Sequence, residues 1–218
     1  MRRALLGAAL GCKCKNGIPV YALNGVICGE RRFDMIKVNE TIIAAAGEIG
    51  IADKVKAFLE QGDETGREDT QILLTCFNIV ENELALDYLP LKAETIVQSE
   101  TGIIEYSAMP KSVVRVLKVQ DEWGNDVPFK IYPEYLQAQS GTFKIIYAYT
   151  PDKKELGEES DFSLFASVRL FAYGMAAEYS LMKGLFAESA VWEKKYKDVL
   201  KRTYRLHAGK VIRSRRWV

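Results

Sequence analysis

The chain has 218 residues, 48% of them hydrophobic and 27% charged, with a net charge of +1 and a mean hydropathy of −0.09. That is enough apolar material for one core without disulfides or metal. No apolar run approaches the about eighteen residues of a membrane-spanning helix, which excludes an integral helical membrane protein.

Residues 1–34 differ in character from the rest of the chain. Two arginines precede an apolar stretch that ends at Cys12, like the front of a lipidated leader, but Ala9-Leu10-Gly11-Cys12 reverses the usual order of aliphatic and small residues before such a cysteine. Gly7, Gly11, Gly17, Gly25 and Gly29 break every candidate period. The segment reads as a disordered arm or a misassigned start, with Met35 as the true beginning, although a small hairpin could form around Asn24-Gly25. Cys12, Cys14 and Cys28 lack the fourth thiol or nearby imidazole that would complete a zinc tetrahedron, so no metal is expected.

Regular patterning starts after Met35. Residues 39–47 and 50–61 read as two short helices, the second with Ile51, Val55, Phe58 and Leu59 on one face and Gly62 just past its end. A longer helix runs from about Glu68, its stripe formed by Leu73, Phe77, Val80, Leu84 and Tyr88, until Pro90 stops it. Cys76 falls in this run as a small buried hydrophobe. Glu81 and Glu83 point to different helix faces and read as solvated charge.

Between residues 93 and 150 β-branched and aromatic residues alternate with polar ones. Short segments at 94–97 and 103–106 flank Thr101-Gly102, a firmer strand covers 113–119, and residues 128–132 return after the Trp123-Gly124-Asn125-Asp126 turn. The strongest strand is 143–149, with Phe143, Ile145 and Tyr147 facing one way. The expectation is one small antiparallel sheet.

Residues 151–160 read as a polar, acidic linker whose Glu158 and Glu159, with Asp161, are solvated. Asp161 and Ser163 offer caps to a helix with the stripe Leu164, Val168, Phe171, Met175, Tyr179, Met182, interrupted at Gly184. Gly174 inside that helix suggests a close approach of a neighbouring helix. A last helix over 187–206 puts Val191, Val199 and Leu200 on its apolar side and keeps Lys194, Lys195, Lys197, Lys201 and Arg202 in water.

Charge is segregated along the chain. Residues 1–34 carry six Lys/Arg against two Asp/Glu, and residues 192–218 carry ten against two; with +1 overall, residues 35–191 must carry −11. The fold class expected is α+β: a helical bundle with an inserted small antiparallel β-sheet and an extended C-terminal arm. No catalytic constellation emerges. His207 is the only histidine and stands apart from any nucleophile, and no glycine-rich phosphate loop is present, so neither a catalytic residue nor a cofactor is expected.

The run from Ile72 to Leu91, with its Tyr88-Leu89-Pro90-Leu91 exit, resembles a helix of the head-tail connector (adaptor) proteins of tailed phages and prophages of Gram-positive hosts. Tyr173-Gly174-Met175-Ala176-Ala177-Glu178-Tyr179-Ser180-Leu181, with Gly184-Leu185 and Ala190-Val191-Trp192-Glu193-Lys194-Lys195-Tyr196, resembles the same family's C-terminal helices. The similarity spans residues 35–218 and leaves out the leader. It implies a non-enzymatic connector domain over 35–209, with helices at 39–90 and 161–206 around a β insertion at 93–150. It further implies a homo-oligomeric ring of about twelve subunits at the head–tail junction of the virion. Such a ring would form in the host cytoplasm, bind the portal protein and a downstream neck or tail-completion protein, and pass genome DNA with transient, non-specific contact. Residues 210–218 would be a portal-docking arm in which Lys210, Arg213, Arg215 and Arg216 supply charge-assisted contacts and Trp217 the anchor. The alternative reading of the same basic segment is a nucleic-acid-binding protein.

Overall fold

A computed structural model of the chain describes residues 35–162 and 167–207, with side chains as far as Thr203. Helix α1 (Val38–Ile49) buries Val38, Thr41, Ile42, Ala45 and Ala46, the three- and four-residue steps of one helical face. Helix α2 (Ala52–Gln61) buries only Val55 fully and ends at Gly62 as its sequence suggests. Helix α3 (Arg67–Glu83) carries the expected stripe of Leu73, Phe77 and Val80 into the core and then widens into a single π turn, Leu84–Tyr88, closed by the Leu89 amide donating to the Leu84 carbonyl at 2.6 Å. The wider turn lets adjacent Leu84 and Ala85 both be buried before Pro90 ends the helix.

The β region forms two small sheets where one was expected. In the first, β1 (Leu91–Ser99) and β3 (Val113–Gln120) flank β6 (Gly141–Tyr149), all antiparallel. In the second, β5 (Tyr135–Gln137) lies between β2 (Ile103–Glu105) and β4 (Lys130–Ile131). The 101–102 turn therefore does not close a hairpin: Leu91 pairs with Tyr149 and Ile103 with Gln137, so consecutive segments part company and each finds a distant partner. The two sheets share an apolar core that includes Ile104, Val116, Val119, Leu136, Phe143, Ile145 and Tyr147.

Residues 150–162 are no free linker. The strap is pinned to the start of α1 by Val38 N–H to the Glu158 carbonyl (3.0 Å), Ser160 N–H to the Ile36 carbonyl (2.8 Å) and Gly157 N–H to Asn39 Oδ1 (2.9 Å). Helix α4 (Val168–Met182) begins seven residues later than Asp161, so Asp161 is not its cap; Ser167 is, its hydroxyl accepting from Leu170 N–H at 3.2 Å. Ser163 and Leu164 lie outside the described residues. Ten of the fifteen residues of α4 are buried, which makes it the centre of the bundle between α1, α3 and α5. Gly184, at φ +75°, takes the left-handed backbone that turns the chain into α5 (Phe186–His207). Helix α5 is rotated from its expected orientation: Trp192, Tyr196, Val199 and Leu200 face the bundle, whereas Val191 is 56% exposed. The expected wet residues Lys194, Lys195, Lys197, Lys201 and Arg202 are exposed.

Candidate functional site

Lys210, Arg213, Arg215, Arg216 and Trp217, the expected docking arm, lie outside the described residues. The described part of the basic segment is residues 192–207 of α5, and the chemistry of its first turn is set by aromatic rings beneath it. Lys195 Nζ stands 3.8 Å from the centre of the Trp192 ring and 5.6 Å from that of Tyr173. Arg169 of α4 approaches the same Tyr173 ring at 5.2 Å and donates from Nε to its hydroxyl at 2.8 Å. Rings and cations thus alternate across the α4–α5 seam, and cation–π attraction holds two positive charges at fixed places. Among the described residues, no carboxylate lies within ion-pairing distance of Arg169, Lys194, Lys195, Lys201 or Arg202, while Lys197 pairs with Glu193.

The first half of α5 and the end of α4 carry a different surface. Leu181 and Met182 (48% each), Leu185 (43%), Phe186 (70%) and Val191 (56%) all stand exposed around the Gly184 corner. Single exposed apolar residues are ordinary; here five large ones stand exposed within eleven residues around one corner.

Beneath α5, Glu83, Glu178 and Glu193 border a crevice of about 220 Å³ with Gly174, Tyr196 and Lys197. Burial pushes the Glu83 carboxyl above the usual range, although the Tyr196 hydroxyl donates to it at 3.4 Å; burial and then the Glu193 charge do the same to Glu178. The crevice is smaller than the roughly 300–1,000 Å³ of small-molecule sites.

A second polar centre joins α3 to the strap, and it corrects the reading of Glu81 as solvated charge. Glu81 is 1% exposed. Its Oε1 accepts from Ser160 Oγ at 2.6 Å and from Asp161 N–H at 3.1 Å, while burial outweighs these bonds and pushes its pKa up. Asn78, one turn earlier, brackets the Lys154 peptide with both ends of its amide: Oδ1 accepts from Lys154 N–H at 2.6 Å and Nδ2 donates to the Lys154 carbonyl at 3.1 Å. Lys154, buried with the strap, reaches Asp161 at 2.7 Å, and Lys111 from the sheet side lies 3.9 Å from the other oxygen of the same carboxylate. Asp161 is thus only partly solvated, whereas Glu158 and Glu159 are exposed as expected. Glu81 falls four residues after Phe77 and three before Leu84, so its place on the apolar stripe was the signal that a carboxylate there must be buried.

These polar groups join α3 to the strap and, through Lys111, the strap to the sheet. Among the described residues no set of three His, Cys, Asp or Glu side chains is placed to hold a metal ion, and no helix is long and apolar enough to cross a membrane. Cys76 is buried against Met182, and burial pushes its thiol up to about 12, far from a reactive thiolate. The chain matches no protein-family model, and no curated protein matches it in sequence.

Proposed function

We propose that the chain is a connector subunit of a tailed phage: a non-catalytic protein of the virion's head–tail junction that forms a ring on the portal protein and receives the next neck or tail protein. Genome DNA passes through the ring in transient, non-specific contact. The observation that carries this reading is the uncovered apolar corner of α4 and α5, Leu181 to Val191, which a subunit working alone would leave in water. The α+β bundle is the architecture expected for such a subunit, and the acidic balance of residues 35–191 would keep DNA mobile in a channel.

The test is the mass of the full chain in solution, alone and with portal protein, and then again after removal of residues 210–218. The expected result is a ring in the presence of portal, with truncation abolishing portal binding and leaving thermal unfolding unchanged. Trp217→Ala should weaken portal binding by about 2 kcal/mol or more. A chain that stays monomeric alone and with portal, or a truncated chain that binds portal undiminished, removes the ring or the arm respectively.

The second reading, nucleic-acid binding through the basic segment, draws support from the cations of α5 that lack a carboxylate partner among the described residues. It requires duplex affinity that falls steeply with salt. Affinity independent of salt would exclude it.

A further inference from the structure

We infer that the outer face of α5 is one half of a self-association surface and that the other half is the acidic side of a second copy, residues 48–69. The inference rests on the proposed ring and deepens it by naming the two faces that meet.

The α5 face changes character along its length. Its start presents Phe186 and Val191 to water, and from Lys194 onward it presents Lys194, Lys195, Lys201 and Arg202, with Asp198 the exposed acid among them. An apolar end that runs on into cations, one of them held over the Trp192 ring, is the composition of a docking surface for an acidic, partly apolar partner. Residues 48–69 have the complementary composition. Seven Asp/Glu stand there against three Lys/Arg; Glu64 pairs with Arg67, and Glu68 and Asp69 with Lys183, while Glu48, Asp53, Glu60 and Asp63 are exposed with no ion pair among the described residues, and Phe58 and Leu59 are half-buried among them.

The two charged regions cannot neutralise each other inside one subunit. Lys183 contacts Glu68 at 3.0 Å and Asp69 at 3.2 Å, which puts the acidic region at the C-terminal end of α4. Arg169 and the stack on Tyr173 put the cationic half of α5 at the N-terminal end of α4. The ten residues of helix from Tyr173 to Lys183 span about 15 Å, and charges that far apart are screened across a Debye length of about 8 Å. Unlike faces carried by one molecule meet head to tail, and a head-to-tail contact closes into a ring when its rotation closes. The occupant is protein rather than nucleic acid, because the rings beside the cations, Trp192 and Tyr173, are already covered by Lys195 and Arg169, and the body is acidic.

Two charge-reversed full-length chains test this: Lys194→Glu with Lys201→Glu, and Glu60→Lys with Glu64→Lys, all exposed positions. Assembly is tracked by sedimentation velocity and electron microscopy, with and without portal protein, after circular dichroism has shown both variants folded. Each variant alone should self-associate about tenfold more weakly or worse, because like charges then face each other. An equimolar mixture should recover the wild-type assembly, since each variant's altered face then meets an opposite charge on the other chain. A mixture no better than its components, or either variant assembling like wild type, overturns the inference while leaving the proposed ring intact. Wild-type chain that is monomeric alone and with portal overturns both. Duplex binding by wild type that Lys194→Glu with Lys201→Glu abolishes, with assembly unchanged, assigns the face to nucleic acid and also overturns the inference. Variants that do not fold are replaced by Lys194→Gln with Lys201→Gln and Glu60→Gln with Glu64→Gln, each of which should assemble more weakly and with less salt dependence than wild type; salt dependence equal to wild type overturns the inference.

Discussion

Gly174→Ala should destabilise the protein, although alanine is the better helix former. Gly174 lies inside α4, where alanine would be favoured by about 1 kcal/mol on an open helix surface. Here a Cβ would stand 2.9 Å from both methyl carbons of Val80 on α3 and 3.1 Å from Cε2 of Tyr196 on α5. Carbon atoms rest at about 3.5–4.0 Å, and Val80 is fully buried with a short, stiff side chain. Overpacking of this kind costs about 1–3 kcal/mol, and with three helices converging the upper part of that range applies. The net loss is then about 1–2 kcal/mol, or about 3–6 °C in Tm for a chain of this length. Val80→Ala alone should also destabilise, by about 1–3 kcal/mol, because it opens a cavity. In the double variant the new methyl fills the vacated space, so the combined loss should fall short of the sum by about 1 kcal/mol or more. Urea unfolding of the four proteins measures the cycle. Stabilisation by Gly174→Ala, or strict additivity, would refute the close three-helix contact.

Glu81→Ala leaves the Ser160 hydroxyl and the Asp161 amide without their acceptor and should cost about 3 kcal/mol, whereas Glu81→Gln retains an acceptor oxygen and should cost less. Because burial raises the Glu81 pKa, the unfolded chain loses this proton first as pH rises; wild-type stability should therefore decline from the ordinary carboxylate range up through the folded pKa, and urea midpoints of Glu81→Gln should lack that decline. A wild-type-to-Gln difference that is constant with pH contradicts this. Tyr179→Phe removes the hydroxyl that donates to Asp69 at 2.7 Å and holds its pKa below the usual range, for a loss of about 1–2 kcal/mol at neutral pH. That contribution is present above the ordinary Asp pKa and disappears as pH falls through the folded one, so the two proteins should converge in acid urea titrations.

Much of the bundle can be read locally. The stripe of α3, the stop at Pro90, the end of α2 at Gly62 and the turn at Gly184 each depend on residues within one or two turns, and each stands where the pattern put it. Strand β6 is equally legible, because its alternation reflects one face packed into the sheet core. What local pattern does not carry is partner choice. Ile103 lies four residues beyond Ser99 yet pairs with Gln137, and β1 crosses to β6, since register is decided by which distant strand covers each apolar face. The rotation of α5 has the same origin: the seam is filled by the Trp192 and Tyr173 rings, which outweigh Val191 in the area they cover and turn that valine outward.

The polar joint was hidden for a related reason. A carboxylate and an amide at Glu81 and Asn78 score as surface residues in a pattern that weighs only hydropathy, yet both sit on the buried side of α3. Their partners lie 76 to 80 residues further along the chain, in a strap whose own composition is that of a solvated linker. An apolar contact there would let the strap slide, because dispersion has little direction. The Asn78 amide instead fits the Lys154 peptide at donor and acceptor together, and Glu81 fits one hydroxyl and one amide, so a shift of one residue would orphan several buried groups at once. The strap's path between the sheet core and the helical core is therefore set by hydrogen-bond matching, and the cation–aromatic seam and apolar corner of α4 and α5 inherit their placement from the bundle that this path closes.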